Sequence, residues 1–112
     1  MILYGLKSCD TCRKARKWLD SRADYDYRDV RDDGLDRALV SNWFDRTDWQ
    51  LLVNRRSTTW KSLGPADRDG LDRSSAIDLL MQNPTLLKRP VLDTGVELLV
   101  GFDAQRYEDV IG

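Results

Sequence analysis

Cys9-Asp10-Thr11-Cys12 holds the only two cysteines of the chain, and their spacing suits thiol–disulfide chemistry. A thiol attacks only once ionised, and a Cys-X-X-Cys at a helix N-terminus beside cations moves from a free value of about 8.5 into the range of roughly 3.5 to 7.5. Lys7, Arg13 and Lys14 supply the cations. Cys9, nearest the helix mouth, is the expected catalytic nucleophile, and Cys12, one turn deeper, the thiol that resolves a mixed disulfide. The competing reading is two small hydrophobes in a helix, because Cys12 shares a face with Ala15 and Leu19. A structural zinc site takes four Cys or His ligands. With two Cys and no His, no metal site is expected, and Ser-His or Cys-His catalytic pairs are excluded.

These thiols need elements to hold them. Ile2-Leu3-Tyr4 reads as a buried strand, residues 5–8 as a turn and residues 11–20 as a helix, which puts both sulfurs in the first turn, where unpaired N–H groups favour a thiolate. Residues 25–28 alternate as a half-buried strand, and the crossover predicts parallel pairing. Asp32-Asp33-Gly34 reads as a turn. Helices follow over residues 35–45 and 48–53, and a third, capped by Ser74, runs over 75–82 to Asn83-Pro84. Val91-Leu92, the turn Asp93-Thr94-Gly95 and residues 96–100 form a hairpin, and Asp103 caps a last helix with Ala104, Tyr107 and Ile111 on one face. The order βαβ, helices, ββα is an α/β, thioredoxin-like layout with a mixed sheet. Its core spans residues 1–34 and 88–112, with an all-helical insertion at about 35–87, in one domain.

With 112 residues, 41% of them hydrophobic, and four Trp, the chain can build one core. The Trp residues and the mixed charge runs of residues 20–36 and 67–73 read as packing and solvated surface. Net charge is −1 and the charged residues are interspersed, so neither nucleic acid nor an anionic membrane is an expected partner. No apolar stretch approaches the roughly 18 residues of a membrane span and no leader pattern opens the chain, so a cytoplasmic protein is expected, where a two-cysteine motif is catalytic or redox-sensing.

Three separated segments, residues 4–15 around the cysteines, residues 54–63 (Asn54-Arg55-Arg56-Ser57-Thr58-Thr59-Trp60-Lys61-Ser62-Leu63) and residues 87–92 (Leu87-Lys88-Arg89-Pro90-Val91-Leu92), together resemble the arsenate reductase (ArsC) and Spx family, most closely its YffB-type members. The resemblance covers nearly the whole chain. It implies a thioredoxin-like fold with a helical insert, Cys9 as nucleophile, and a cis Pro90 with Arg89 facing the same pocket. A planar guanidinium there can hold an oxyanion or carboxylate bidentately and stabilise the thiolate. Arg13, with backbone N–H groups 10–13 as an anion cradle, and Asn54 and Arg55 complete the candidate substrate-binding set.

The reading that follows is a cytoplasmic thiol-disulfide reductase of ArsC-like type, monomeric, with no bound cofactor and with glutathione as co-substrate, its two carboxylates matching the arginines. The alternative is an Spx-like redox-sensing regulator that binds RNA polymerase and switches through a Cys9–Cys12 disulfide. Spx-type proteins extend further at the C-terminus, which ranks that reading lower. A true arsenate reductase ranks third: glutathione-dependent arsenate reductases use three arginines, and this chain has Asn54 where one would lie and no arginine at Gly101-Phe102.

Overall fold

The hydrophobic residues near the start of the chain become one of the two inner strands of a sheet. In a computed structural model describing all 112 residues, the elements run β1 (Ile2–Gly5), α1 (Asp10–Asp20), β2 (Asp26–Asp29), α2 (Val30–Asp33), α3 (Arg37–Arg46), a 3₁₀ turn (Trp49–Leu52), α4 (Thr58–Ser62), α5 (Pro65–Arg68), α6 (Arg73–Gln82), a second 3₁₀ turn (Pro84–Leu86), β3 (Val91–Asp93), β4 (Leu98–Val100) and α7 (Ala104–Ile111). They fall into two units, Met1–Asp33 with Arg89–Gly112, and Gly34–Lys88.

The first unit is a four-stranded mixed sheet in the order β2-β1-β3-β4. β1 pairs parallel with β2 and antiparallel with β3, which pairs antiparallel with β4. The register aligns Tyr27, Leu3, Leu92 and Leu99 across the sheet. Side chains alternate along each strand, so this row lies on one face. Ala15 and Leu19 of α1 and Tyr107 of α7 join Leu3, Leu92 and Leu99 in a buried cluster. Helix α1 shows why it packs this way: Cys12, Ala15 and Leu19 are its buried residues, at helical spacing. Tyr107 meets Trp18 and Phe102 edge-on, at centroid distances of 5.7 and 4.9 Å, and its hydroxyl donates to the Gly101 carbonyl at 3.3 Å. Ala104 faces solvent while Tyr107 is buried and Ile111 half-buried, so the apolar face of α7 is narrower than expected.

In the second unit α3 packs on α6. The fully buried Trp43, with Val40 and Phe44, comes from α3, and Ala76, Ile77, Leu79 and Leu80 from α6. Arg37–Asp78 and Arg73–Asp45 ion pairs link the two helices at the surface, where such pairs contribute little. The chain closes through a bridge between Val53 and Leu87, flanked by Lys88 N–H to Leu52 O at 2.8 Å and Asn54 N–H to Leu86 O at 2.9 Å.

Several boundaries differ from the sequence reading, each for a local reason. Helix α6 starts at Arg73 because Asp72, not Ser74, is its cap: the Asp72 carboxylate accepts the Ser75 N–H at 2.9 Å and the Ser75 hydroxyl accepts the Asp72 N–H at 2.9 Å. Asp32 and Asp33 are wound into α2 by the Asp29 carboxylate, and the turn itself falls on Gly34, at φ +72°. Helices α4 and α5 were not foreseen. The Ser57 hydroxyl starts α4 by accepting the Trp60 N–H, and Pro65 stands at the first position of α5. The second hairpin arm shortens to β4 because Thr94 captures the Val96 and Glu97 N–H groups in the turn.

Asp103 caps α7 by accepting the Gln105 and Arg106 N–H groups at 2.9 and 3.4 Å. Removing that acceptor costs about 1 kcal/mol, so Asp103→Ala should lower the urea midpoint without changing the m-value. An unchanged midpoint would show that the cap is dispensable.

Candidate active site

The cysteine segment is held at both ends by backbone bonds. Cys9 lies at the N-cap of α1 in extended conformation (φ −90°, ψ 120°). Its N–H reaches the Leu6 carbonyl at 3.2 Å and its carbonyl accepts the Arg13 N–H at 3.0 Å. Upstream, the buried Asp29 carboxylate accepts the Lys7 N–H at 3.0 Å, and it also accepts the N–H groups of Arg31 and Asp32 at 2.9 and 3.1 Å. One carboxylate thus ties the loop between β1 and α1 to the end of β2. Burial opposes its charge, but the three N–H groups and Lys7 more than offset this and hold the Asp29 carboxyl below its usual range.

Cys12 is fully buried and occupies space that only a glycine at position 5 leaves open. A Cβ on Gly5 would stand 2.8 Å from Cys12 Sγ and 3.2 Å from Cys12 Cβ, well inside van der Waals contact. Gly5 ends β1 immediately before the loop.

The two thiols are unbridged and differ in exposure, Cys9 being partly exposed and Cys12 buried, and this separates their acidities. Burial alone would raise Cys9, but the thiol and backbone N–H of Cys12 and the guanidinium of Arg89 face its sulfur, and together they lower it below an ordinary cysteine. Cys12 is pushed up to about 12, by burial first, with a hydrogen bond from the Leu6 backbone working the other way and Cys9 adding to the rise. Cys9 is therefore the more acidic thiol of the pair and Cys12 the less acidic.

Arg89 precedes Pro90 through a cis peptide bond, as the sequence resemblance implies. Pro90 is buried and its carbonyl accepts the Gly101 N–H at 2.8 Å. Arg13 is exposed, and its guanidinium pairs with Asp10 and reaches the Lys7 carbonyl at 3.5 Å. Its N–H is spent inside α1, so the expected cradle of N–H groups 10–13 loses that member. The structure thus gathers Cys9, Cys12 and Arg89, with Pro90 adjoining and Arg13 on the next turn. Asn54 and Arg55 belong to the helical unit. There Asn54 builds a turn: its side-chain oxygen accepts the Arg56 N–H at 3.1 Å and its carbonyl accepts from the Ser57 N–H and hydroxyl. The Arg55 guanidinium lies 5.5 Å from the Trp60 ring centroid. The side-chain oxygen of Asn54 thus serves the backbone of its own turn. Gly5 and Asp29 escaped the sequence reading, and the only signal for either is a glycine or an aspartate at a strand end.

The model of the ArsC family matches residues 4–110. The chain belongs to the ArsC family. A relative in Haemophilus influenzae, itself an uncharacterised protein, is 40% identical over 109 residues, covering 96% of each chain. The global transcriptional regulator Spx of Listeria innocua is 32% identical over 108 residues, covering 92% of this chain and 80% of the regulator. Among solved ArsC-like structures, the YFFB protein superposes with a TM-score of 0.95 at 40% identity over 99% of this chain and 98% of its own. An arsenate reductase from Vibrio cholerae shares the fold (TM-score 0.82, 97% and 95% covered) at 12% identity. The thioredoxin-like fold expected of the ArsC family is thus the fold observed.

Gly5→Ala forces the new methyl against Cys12 Sγ. Overpacking of this kind costs about 1–3 kcal/mol, and denaturant titration should show a loss of that size. Losing the side chain in Asp29→Ala should destabilise most near neutral pH. A depressed carboxyl contributes fully above the unfolded value of about 3.9 and loses its contribution as pH falls through the folded value. The gap between parent and variant should therefore close on acidification, and a gap constant down to pH 2 would contradict the role given to this carboxylate.

Proposed function

We propose that this protein is a cytoplasmic thiol-disulfide reductase of ArsC type, in which the Cys9 thiolate is the nucleophile and glutathione the co-substrate. The observation that carries the reading is the division between the two thiols: Cys9 partly exposed and lowered, Cys12 buried and raised to about 12. A nucleophile needs both access and ionisation, and only Cys9 combines them. Membership of the family supports oxidoreductase chemistry, and no helix is long and apolar enough to cross a membrane.

The chemistry balances without a bound group. Cys9 thiolate attacks a disulfide sulfur, a Cys9–S bond forms, the old S–S bond breaks, and the second sulfur leaves as a thiolate. Glutathione then attacks the adduct in the same way and restores Cys9. Arg89 is placed to stabilise the departing and returning thiolate and to hold a carboxylate beside the sulfur. Arg13 can join it when an anionic substrate replaces Asp10 as its partner. Two features support a second reading, a regulator switched by a Cys9–Cys12 disulfide: the hydrogen bond between the two thiols and the similarity to Spx.

Iodoacetamide alkylation of Cys9 in Cys12→Ser protein should show a pH midpoint below the roughly 8.5 of a free cysteine. Arg89→Ala should raise that midpoint and slow the reaction several-fold at pH 7. A midpoint at or above the free value would remove the basis for Cys9 as nucleophile. Equilibration of the reduced parent protein with a glutathione redox buffer, followed by intact mass, should give one glutathione on Cys9. Loss of two hydrogens without an adduct would favour the switch.

A further inference from the structure

Tyr27 lies on β2, half-buried beside the Leu3 cluster, yet its hydroxyl is buried without a hydrogen-bond partner. The large majority of buried side-chain polar atoms have one, so an orphan calls for an explanation. The space beside Gly5 supplies it. The position a Cβ would take on Gly5 is 3.3 Å from the Tyr27 hydroxyl and 2.8 Å from Cys12 Sγ, which puts oxygen and sulfur within about 6 Å of each other across a gap that residue 5 leaves open. No hydrogen bond joins them in the reduced protein.

We propose that the Tyr27 hydroxyl is a donor held in reserve for the Cys12 sulfur, engaged when Cys12 ionises to resolve an adduct on Cys9. This inference rests on the second reading above, in which a Cys9–Cys12 disulfide forms, and makes Tyr27 a positioning residue for closing that disulfide. In the reduced protein Cys12 leans on the Cys9 sulfur. Once Cys9 carries a substrate sulfur, that charged neighbour is gone and Cys12 must act from a buried site. It gives its proton to solvent base, its thiolate attacks Cys9 Sγ, and a Cys9–Cys12 bond forms. The bond from Cys9 to the substrate sulfur breaks, and the substrate leaves as a thiolate. The two cysteine sulfurs are oxidised to one disulfide and the substrate sulfur is reduced.

Tyr27 keeps its proton throughout. Its surroundings suit a donor rather than a base, because burial first, then Cys12 and Asp29, push the phenol up to about 12. The Arg16 guanidinium of α1 lies over the Tyr27 ring, 4.0 Å from its centroid, where it draws electron density from the ring and polarises the O–H bond. Cys12 Sγ already lies in the space beside Gly5 that the Tyr27 hydroxyl also borders, so bringing the two together takes only rotation about the Cys12 side chain.

The test uses Cys9→Ser protein, in which Cys12 is the only thiol, and the small reagent methyl methanethiosulfonate at pH 7.5, with modification followed by intact mass. Losing a donor worth one pH unit of thiol acidity cuts the thiolate fraction about tenfold, while the stronger base gains about threefold in intrinsic nucleophilicity at a Brønsted slope of about 0.5. Tyr27→Phe in this background should therefore slow Cys12 modification about threefold. A role confined to packing predicts the opposite sign, because removing an orphaned polar atom leaves access unchanged and any loosening raises it. An unchanged or faster rate would overturn the inference. Tyr25→Phe, just before β2, removes a hydroxyl that donates to Asp20 at 2.6 Å and also bonds Arg16, and should slow Cys12 less than Tyr27→Phe does; equal slowing in that variant would also overturn it. Cys9 reactivity is read separately in Cys12→Ser protein, so failure of the nucleophile assignment and failure of the Tyr27 role are distinct results.

Discussion

Room for one sulfur atom is the constraint on which this site depends. Helix α1 packs Cys12, Ala15 and Leu19 against the sheet, and packing that close brings Cys12 Sγ into the space beside Gly5. A side chain at position 5 would push the start of α1 outward. Because Cys9 caps the same helix, its sulfur would move with it relative to the guanidinium of Arg89. The close approach at Gly5 therefore fixes the depth of one thiol and the position of the other. Interiors packed at crystal-like density pass such a displacement on rather than absorb it.

From that placement the electrostatics follow. Two identical side chains three residues apart are given opposite tendencies by their surroundings. At the helix mouth, donors and a cation outweigh desolvation; one turn in, desolvation wins. Each thiol also strengthens the other's tendency, since the neutral Cys12 donates to Cys9 and the ionised Cys9 discourages a second charge nearby. The Asp29 carboxylate gives this arrangement a stable frame, because it gathers three backbone N–H groups from the segments that follow the paired strands β1 and β2.

What could be read from the chain depended on how local the cause was. The βαβ start was legible because Ile2-Leu3-Tyr4, the spacing of Cys12, Ala15 and Leu19, and the alternation of residues 25–28 each encode an element within a few residues. Asp103 was legible as a cap for the same reason. The cap of α6 was misplaced by two residues because Asp72, Ser74 and Ser75 all carry suitable oxygens, and only the backbone angles choose among them. Helices α4 and α5 are too short for any periodicity to register. At the site, Cys9, Cys12 and Arg89 were found by residue type and resemblance, whereas Gly5, Tyr27 and Asp29 act through distance, burial and a missing side chain, none of which is written in the order of residues. Asn54 shows how a polar side chain in a suggestive segment also has a local use, since its amide oxygen holds the backbone of its own turn.

The sheet register adds a temporal dimension. Leu3 pairs with Leu92, about ninety residues later in the chain, and Arg89 lies just before that strand. Synthesis proceeds from the N-terminus, so the segment that carries Cys9 is made well before the one that carries Arg89. The thiol acquires its full reactivity only when β3 docks against β1.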